Sequence, residues 1–254
     1  MTALLSVNGV SRRFGGVAAL SDVSFAVPAG AVVGVIGPNG SGKTTLMNIV
    51  SGVDAPTHGE VLFDGAPVQG RPAHRLARLG IARTFQHIRL VPQLTAAQNV
   101  ALALHEPEAG LADILLRLPR LHRIARERHR LSVALLERAG LGRVADSRAG
   151  DLSYGDRRRV EIARALAARP RILLLDEPAA GMNHTEKHAL RGLIAGFRAD
   201  GITVVLVEHD MDLVMGVCDE IQVLNQGRPI ASGPPAAIRK DPRVIEAYLG
   251  AEDA

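Results

Sequence analysis

The segment from Gly37 to Thr44 reads Gly-Pro-Asn-Gly-Ser-Gly-Lys-Thr, and it constrains the fold more than any other part of the chain. The apolar run from Ala31 to Ile36 precedes it, and the segment from Thr44 to Ser51 has apolar residues at helical spacing. A buried strand, a glycine-rich turn and a helix in this order are typical of the phosphate-binding loop of α/β proteins. A glycine-rich turn without a ligand is the alternative, and the flanking strand and helix argue against it.

The residue types of this loop suit phosphate binding. Glycines let the backbone turn its N–H groups toward the phosphates, and the amino end of the following helix adds partial positive charge. Lys43 would place its charge on the outer phosphates, and the Thr44 hydroxyl would bind Mg²⁺. The residues predicted to contact a nucleoside triphosphate are Gly37, Pro38, Asn39, Gly40, Ser41, Gly42, Lys43, Thr44 and Thr45.

Two adjacent carboxylates, Asp176 and Glu177, follow the apolar run from Ile172 to Leu175. The carboxyl ends of buried strands form the edge of a sheet at which α/β proteins bind ligands. We expect Asp176 to hold hydrated Mg²⁺ and Glu177 to act as general base toward the attacking water. Without the phosphate loop, the sequence Asp-Glu-Pro would fit a capped turn equally well.

Two further polar residues are predicted to reach the γ-phosphate. His209 follows the strand-like run from Thr203 to Val207, so it is expected at the same edge of the sheet. Gln86 precedes a helical segment, and it is predicted to contact the γ-phosphate and Mg²⁺ and to signal to that segment. A single histidine after a strand is usually structural and a single glutamine is an ordinary surface amide, so both assignments depend on the other motifs.

The length of 254 residues fits one α/β core with an inserted subdomain. Strand-like patterns dominate the first third, and leucine and alanine then recur at helical spacing between about Thr95 and Leu166. Strand-like patterns return from Arg171. The predicted organisation is a core of about residues 1–90 and 165–235, a helical subdomain of about 91–164, and a C-terminal tail of about 236–254. In that tail a single short helix is predicted to end near Leu249.

Apolar runs and cysteine content bear on the cellular compartment of the protein. The longest apolar runs are far shorter than a membrane span, and the N-terminal residues do not resemble a secretory signal. The single cysteine, Cys218, excludes an internal disulfide and is predicted to be a small buried apolar residue. We therefore expect a cytoplasmic location.

Arginine clusters at residues 126–130 and 157–159 raise the possibility of nucleic-acid binding. The net charge of only +4 and the aromatic content of 3% favour solvated helix faces instead. The sequence therefore predicts no nucleic-acid partner.

The segment Leu152-Ser153-Tyr154-Gly155-Asp156 precedes Asp176 at the place where ATPases of ABC transporters carry their signature. With the phosphate loop and the Asp176-Glu177 pair, it makes the chain resemble that family over essentially its whole length. The resemblance implies an α/β fold of the P-loop NTPase class and the ABC ATPase type. In that fold a mixed sheet core carries an antiparallel β-subdomain and an inserted helical subdomain, and ATP and Mg²⁺ are the ligands.

In this family the signature of one subunit closes over ATP held by the phosphate loop of another. The resemblance therefore implies that Ser153 and Gly155 contact the nucleotide of a partner. From the residues alone, Ser153 is a helix N-cap and Asp156 is a capping-box-like partner. Tyr154 stands in place of a glycine of the signature and Asp156 in place of a glutamine, and we expect hydrolysis to tolerate both.

Two other residues, Phe14 and Asn183, stand at positions where the family has characteristic residues. Phe14 stands where the family has an aromatic ring that stacks on adenine, and an ordinary core or surface phenylalanine is the alternative. Asn183 replaces the usual aspartate in the loop after the catalytic glutamate. This replacement bears on coupling between the two ATP sites rather than on the fold.

Three segments are similar to the ATPases of high-affinity branched-chain amino acid importers: residues 80–86, 177–183 and 241–250. The resemblance implies a second ATPase subunit, two transmembrane permease subunits and, indirectly, a solute-binding protein. It also implies a peripheral location at the cytoplasmic face of the inner membrane. Importers of urea or aromatic acids and the lipopolysaccharide-exporting ATPase have related sequences.

Two other classes of protein are alternatives to a transporter subunit. Non-transport ABC ATPases that act on ribosomes or DNA usually join two cassettes or carry long insertions, which this sequence lacks. A regulatory cassette without hydrolysis would be expected to lack Glu177 or His209, and both are present.

Overall fold

The computed structural model describes residues 3–86, 88–104 and 119–249. The chain divides into two compact units. Unit one comprises residues 1–86, 171–180 and 190–254, and unit two comprises residues 87–170 and 181–189. The predicted domain boundaries stay a prediction, and residues 1–2, 87, 105–118 and 250–254 of those domains lie outside the described residues. Within the described residues, no helix is both long enough and apolar enough to cross a membrane.

Unit one contains a four-stranded antiparallel sheet with the strand order β2-β1-β4-β5. Its strands are β1 (Ala3–Phe14), β2 (Val17–Pro28), β4 (His58–Phe63) and β5 (Ala66–Pro67). Buried and exposed residues alternate in parts of β1 and β2, as expected for a sheet that covers a core with one face. Asp64 and Gly65 both have positive φ and form the tight turn between β4 and β5. This sheet is the antiparallel β-subdomain of the predicted fold.

A six-stranded sheet with the order β10-β9-β3-β8-β7-β6 forms the core of unit one. Strands β6, β7, β8, β3 and β9 pair in parallel, and β10 pairs antiparallel with β9. The strand bounds are Val32–Ile36 (β3), Ile81–Arg83 (β6), Ile172–Asp176 (β7), Thr203–Val207 (β8), Glu220–Asn225 (β9) and Arg228–Gly233 (β10).

The central strands of this sheet lie away from solvent on both faces. All residues of β3, β7 and β8 are buried, which explains why their sequences are unbroken apolar runs rather than alternating ones. Cys218 lies between β8 and β9 along the chain and is buried, as predicted. Its burial raises the pKa of its thiol to about 12. The mixed parallel and antiparallel pairing confirms the predicted fold class.

The helices of unit one include α1 (Lys43–Val50), α2 (Ala73–Leu79), α7 (Met211–Val217), α8 (Pro235–Ile238) and α9 (Pro242–Leu249). Helix α6 spans His184–Ala199. The predicted helix that ends near Leu249 is confirmed as α9, but the described part of the tail also contains α8, and residues 239–241 separate the two. Pro242 disfavours helical geometry at Asp241 and has no N–H to donate, so a new helix starts there.

Unit two contains α3 (Ala96–Ala101), α4 (Pro119–Arg138) and α5 (Tyr154–Ala167), with short 3₁₀ turns at Gly142–Val144 and Ala149–Asp151. Helix α3 begins with a complete capping box, in which the Thr95 side chain accepts from the Gln98 N–H and the Gln98 side chain accepts from the Thr95 N–H. Apart from an isolated bridge between Thr95 and Arg148, the regular structure described in residues 88–104 and 119–170 is helical.

Candidate nucleotide-binding site

The phosphate loop connects β3 to α1, and two of its glycines occupy positions that would not accommodate a side chain. Gly37 and Gly42 have φ values of 149° and 101°, which L side chains rarely adopt. A Cβ at Gly37 would lie 2.7 Å from the Ser41 hydroxyl, and one at Gly42 would lie 2.7 Å from the Ala19 carbonyl oxygen. The backbone therefore turns tightly here, as a loop that wraps around phosphates must.

Helix α1 is suited to receive an anion at its amino end. Its N-cap is Gly42, which has no side chain to cap the first turn, and that turn contains no acidic residue. The first N–H groups of a helix carry partial positive charge and need acceptors from outside the helix. The start of α1 therefore fits phosphate oxygens.

The Lys43 ammonium lies within the loop, and its side chain is largely buried. Its Nζ donates to the carbonyl oxygens of Gly37 at 2.7 Å and Pro38 at 2.9 Å. Burial lowers the pKa of Lys43, and the charges of Glu177 and Asp176 oppose that shift. Lys43 thus interacts electrostatically with both carboxylates at the end of β7, the predicted base Glu177 and the predicted Mg²⁺ ligand Asp176.

Asp176 ends β7 and is held by Arg83 from the neighbouring strand β6. Arg83 Nη2 donates to Asp176 Oδ2 at 2.7 Å, and both side chains are almost completely buried. Arg83 Nη1 donates to Asn48 Oδ1 and to Ser51 Oγ, both at 2.8 Å. Arg83 therefore connects the carboxylate at the sheet edge to the helix that follows the phosphate loop.

Sequence reasoning did not find this role of Arg83. The residue belongs to a segment that was compared with importer ATPases, but a single arginine in a short strand gives no local signal of its partner. The one indication of this role is that a charged side chain is buried at the end of β6. That burial is seen only in the structure, where β6 pairs with β7.

Glu177 and Gln86 lie in hydrogen-bond contact with each other. Gln86 Nε2 donates to Glu177 Oε2 at 3.1 Å. Glu177 has a φ of 46°, which is uncommon for a residue other than glycine, and its N–H donates to the Val207 carbonyl at 2.8 Å. This backbone bond fixes Glu177 to the end of the adjacent strand β8. The roles of base and γ-phosphate sensor remain predictions.

His209 follows β8 and its side chain is 63% exposed, with Nδ1 lying 3.8 Å from Glu208 Oε2. Glu208, which the sequence analysis did not single out, is fully buried. Its Oε1 accepts from the Ala179 N–H at 2.7 Å, and its Oε2 accepts from the His209 N–H at 3.0 Å. Glu208 therefore holds the chain after Glu177 to the turn that carries His209. Contact of His209 with the γ-phosphate remains a prediction.

Phe14 is the last residue of β1, and half of its surface is exposed. The Arg12 guanidinium lies over the ring with its carbon 4.6 Å from the ring centre. An exposed aromatic ring of this kind can stack on a base, so the predicted contact with adenine is sterically open.

The signature segment belongs to unit two and begins α5. Ser153 is the N-cap, and its Oγ accepts from the Asp156 N–H at 3.1 Å. The prediction that Asp156 completes a capping box is wrong, because its carboxylate pairs with Arg159. The Ser153 cap nevertheless leaves Gly155 in the first turn of α5, as the signature interpretation needs.

Comparisons with known proteins agree with this geometry. The family model described as ABC transporter matches residues 20–180, and a second model, described as branched-chain amino acid ATP-binding cassette transporter, matches residues 228–254. The chain is 46% identical over 249 residues to the high-affinity branched-chain amino acid transport ATP-binding protein BraF of Pseudomonas aeruginosa, covering 97% of this chain and 98% of that protein. The ATP-binding protein LivG of Escherichia coli K12 gives the same identity and coverage.

Among solved structures, the ADP conformation of an ATP-binding cassette of an ABC transporter superposes with a TM-score of 0.85. It is 30% identical, and the match covers 98% of this chain and all of that one. The family model covers more than half of the sequence and the relatives nearly all of it. The chain therefore belongs to the ABC transporter family, as one of its ATP-binding cassette ATPases.

Proposed function

We propose that this ATPase energises the import of branched-chain amino acids. The observation that carries the proposal is the 46% identity, over nearly the full length of both chains, to cassettes named for branched-chain amino acid transport. The match of residues 228–254 to a C-terminal model of the same transporter class supports it independently of the ATP site.

The loop of residues 37–45 binds the phosphates of ATP. The backbone N–H groups at the start of α1 and the ammonium of Lys43 meet the negative charge, and Phe14 stacks on the adenine. Thr44, Asp176 and Gln86 offer the oxygen ligands that suit Mg²⁺, which supplies positive charge to the phosphate oxygens during transfer. Arg83 and the Asn48 amide keep Asp176 in position for this role.

In the hydrolysis step, Glu177 acts as the general base. Its carboxylate accepts a proton from the attacking water, and the Gln86 amide, 3.1 Å away, orients that carboxylate. His209 contacts the γ-phosphate from the end of β8. The exposure of His209 and Gln86 supports this assignment, because the rest of the chain leaves both side chains open to a ligand.

The proposed assembly is a pair of cassettes with two transmembrane permease subunits, which a solute-binding protein supplies with solute. Each ATP site needs a phosphate loop and a signature from different cassettes, and this chain has one of each. Ser153 and Gly155 therefore act on ATP bound by the second cassette. The chain is peripheral at the cytoplasmic face of the inner membrane and has no nucleic-acid partner.

Solute uptake tests the proposal directly. A host strain that lacks this chain is complemented with the wild type, with Lys43→Ala, or with Lys240→Ala, an exposed lysine outside the site. We expect the wild type and Lys240→Ala to restore leucine uptake and Lys43→Ala to fail. Normal leucine uptake in the deletion strain, with loss of uptake of urea or an aromatic acid or of lipopolysaccharide export, would overturn the assignment.

A further inference from the structure

The loop that follows Glu177 along the chain closes on itself before α6 begins. The Glu186 N–H donates to Asn183 Oδ1, and the Asn183 N–H donates to Glu186 Oε2, both at 3.0 Å. These two reciprocal bonds form a capping box at the start of α6. Asn183, which differs from the usual residue of the family, is thus an effective N-cap with Glu186 as its partner.

The same glutamate also lies against the signature. A Cβ built on Gly155 would overlap the Glu186 carboxylate and would lie only 3.0 Å from its Cγ. In a second contact, the side chain comes from the signature and the glycine from the loop. The Tyr154 ring covers Gly181, and a Cβ built on Gly181 would lie 3.1 Å from that ring. The first turn of α5 and the loop of residues 181–186 are therefore packed together by two residues from each side.

We propose that Glu186 is a positioning residue that fixes the signature turn, Ser153 to Gly155, to the loop of residues 181–186 in the same chain. Gly155 is a glycine because the Glu186 carboxylate fills the space that a side chain would need. Tyr154 and Asn183, two of the departures from the family pattern, belong to this contact. The part of the inference that concerns catalysis rests on the proposed function.

The contact reverses the expected sign of a glycine-to-alanine change on the thermal stability. Alanine is a better helix former than glycine, so a glycine-to-alanine change within a helix should raise the thermal stability. Gly155 lies in the first turn of α5 and its φ is not in the left-handed region, so the backbone itself would accept alanine. A decrease is predicted only from the clash with the Glu186 carboxylate, which would have to give up its bond from the Asn183 N–H to move aside.

Thermal unfolding of the nucleotide-free chain tests the contact. Gly155→Ala is expected to lower the Tm by about 2–4 °C or more, and in a Glu186→Ala background the same change is expected to raise it or leave it unaltered. Gly192→Ala is the matched control, because Gly192 lies within α6 with no atom within 4 Å of a Cβ. It should raise the Tm in both backgrounds.

An increase in Tm for Gly155→Ala in the wild-type background, like that of Gly192→Ala, would overturn the proposal. An equal decrease in both backgrounds would do the same, since it would assign the effect to something other than Glu186. Neither measurement depends on ATP hydrolysis.

ATP turnover tests the positioning role. Glu186→Ala is expected to lower kcat several-fold while the KM for ATP stays within about twofold, because the chain's own phosphate loop is unchanged. Glu186→Gln keeps the length and an acceptor for the Asn183 N–H, so it should retain most of the activity. An unchanged kcat for Glu186→Ala would remove the positioning role. Absence of turnover in the wild type would instead count against the proposed function and leave the stability test intact.

Discussion

At the scale of single residues, the buried pair of Arg83 and Asp176 is the contact on which the site's geometry most depends. Both side chains are about 5% exposed, and their atoms are 2.7 Å apart. Removing one partner of a buried pair leaves a charge without its counterion in a medium that solvates it poorly. The pair therefore contributes both to the fold and to the position of the predicted Mg²⁺ ligand.

Arg83→Met is expected to lower the free energy of unfolding by about 3–5 kcal/mol, because it removes the guanidinium that pairs with the buried Asp176 carboxylate. Arg171→Met is the control, since the Arg171–Asp64 pair is equally short at 2.7 Å but more than half exposed. Arg171 lowers the pKa of Asp64, yet solvent screens this surface pair. Denaturant titration of both variants makes the comparison. Equal, small changes would show that burial does not govern the Arg83–Asp176 pair.

The sequence predicted the site residues that belong to local patterns and missed those whose partners are distant. The phosphate loop, Asp176 and Glu177 follow from motifs next to apolar runs, whereas the contact between Gln86 and Glu177 was not predicted. Arg83 and Glu208 were missed, because their roles depend on which strands are neighbours in the sheet. The Asp156 capping box was wrong for a similar reason, since Arg159 competes for the same carboxylate.

At the scale of elements, the turn between β9 and β10 supports the phosphate loop. The Gly227 N–H donates to the Ser41 carbonyl at 3.1 Å, and the Gly227 carbonyl accepts from the Ser21 N–H at 2.8 Å. Gly227 has a φ of 76°, and its Cβ would lie 2.6 Å from the Ala19 carbonyl oxygen. The turn thus links the loop to β2 of the antiparallel sheet.

Gly227→Ala is expected to weaken ATP binding about fivefold or more, because the clash with Ala19 displaces the N–H that supports Ser41 and a net hydrogen bond contributes about 1 kcal/mol. Gly201→Ala carries similar backbone strain, with a φ of 73°, but no atom lies within 4 Å of its Cβ. It should leave the Kd for ATP unchanged. Equilibrium binding of a fluorescent ATP analogue measures both. Similar Kd values for the two variants would contradict the supporting role of the turn.

The bounds of a helix or strand could be predicted where neighbouring elements did not change its length. The buried strands Ile172–Asp176 and Thr203–Val207 match the predicted apolar runs, since parallel strands covered on both faces need no alternation. Strands β1 and β2 pair with each other as far as Phe14 and Val17, and no local pattern in the sequence sets that limit. The helix that ends at Leu249 was predicted, whereas α8 before it was not, because the restriction that Pro242 places on Asp241 separates the two.

At the scale of the whole molecule, the proposed mechanism requires two cassettes that share their ATP sites. Unit one holds the phosphate loop with Asp176, Glu177 and Gln86, and unit two holds the signature at the start of α5. Family membership and the fold are established by similarity over the whole chain, whereas the solute could be inferred only from the names of relatives. The residues assigned to the ATP site are those expected to bind nucleotide, so the site itself carries no information about the solute.

The most direct test of this account is ATP turnover by Glu177→Gln, combined with light scattering after size-exclusion chromatography in ATP and Mg²⁺. Glu246→Gln, an exposed glutamate of α9, is the control and should behave as the wild type. Loss of a general base is expected to lower turnover by about 10²–10⁴-fold. The variant should also elute as an ATP-bound dimer of about twice the chain mass of 26.9 kDa. Wild-type turnover by Glu177→Gln, with the protein remaining monomeric in ATP, would contradict both the role of Glu177 and the shared-site mechanism.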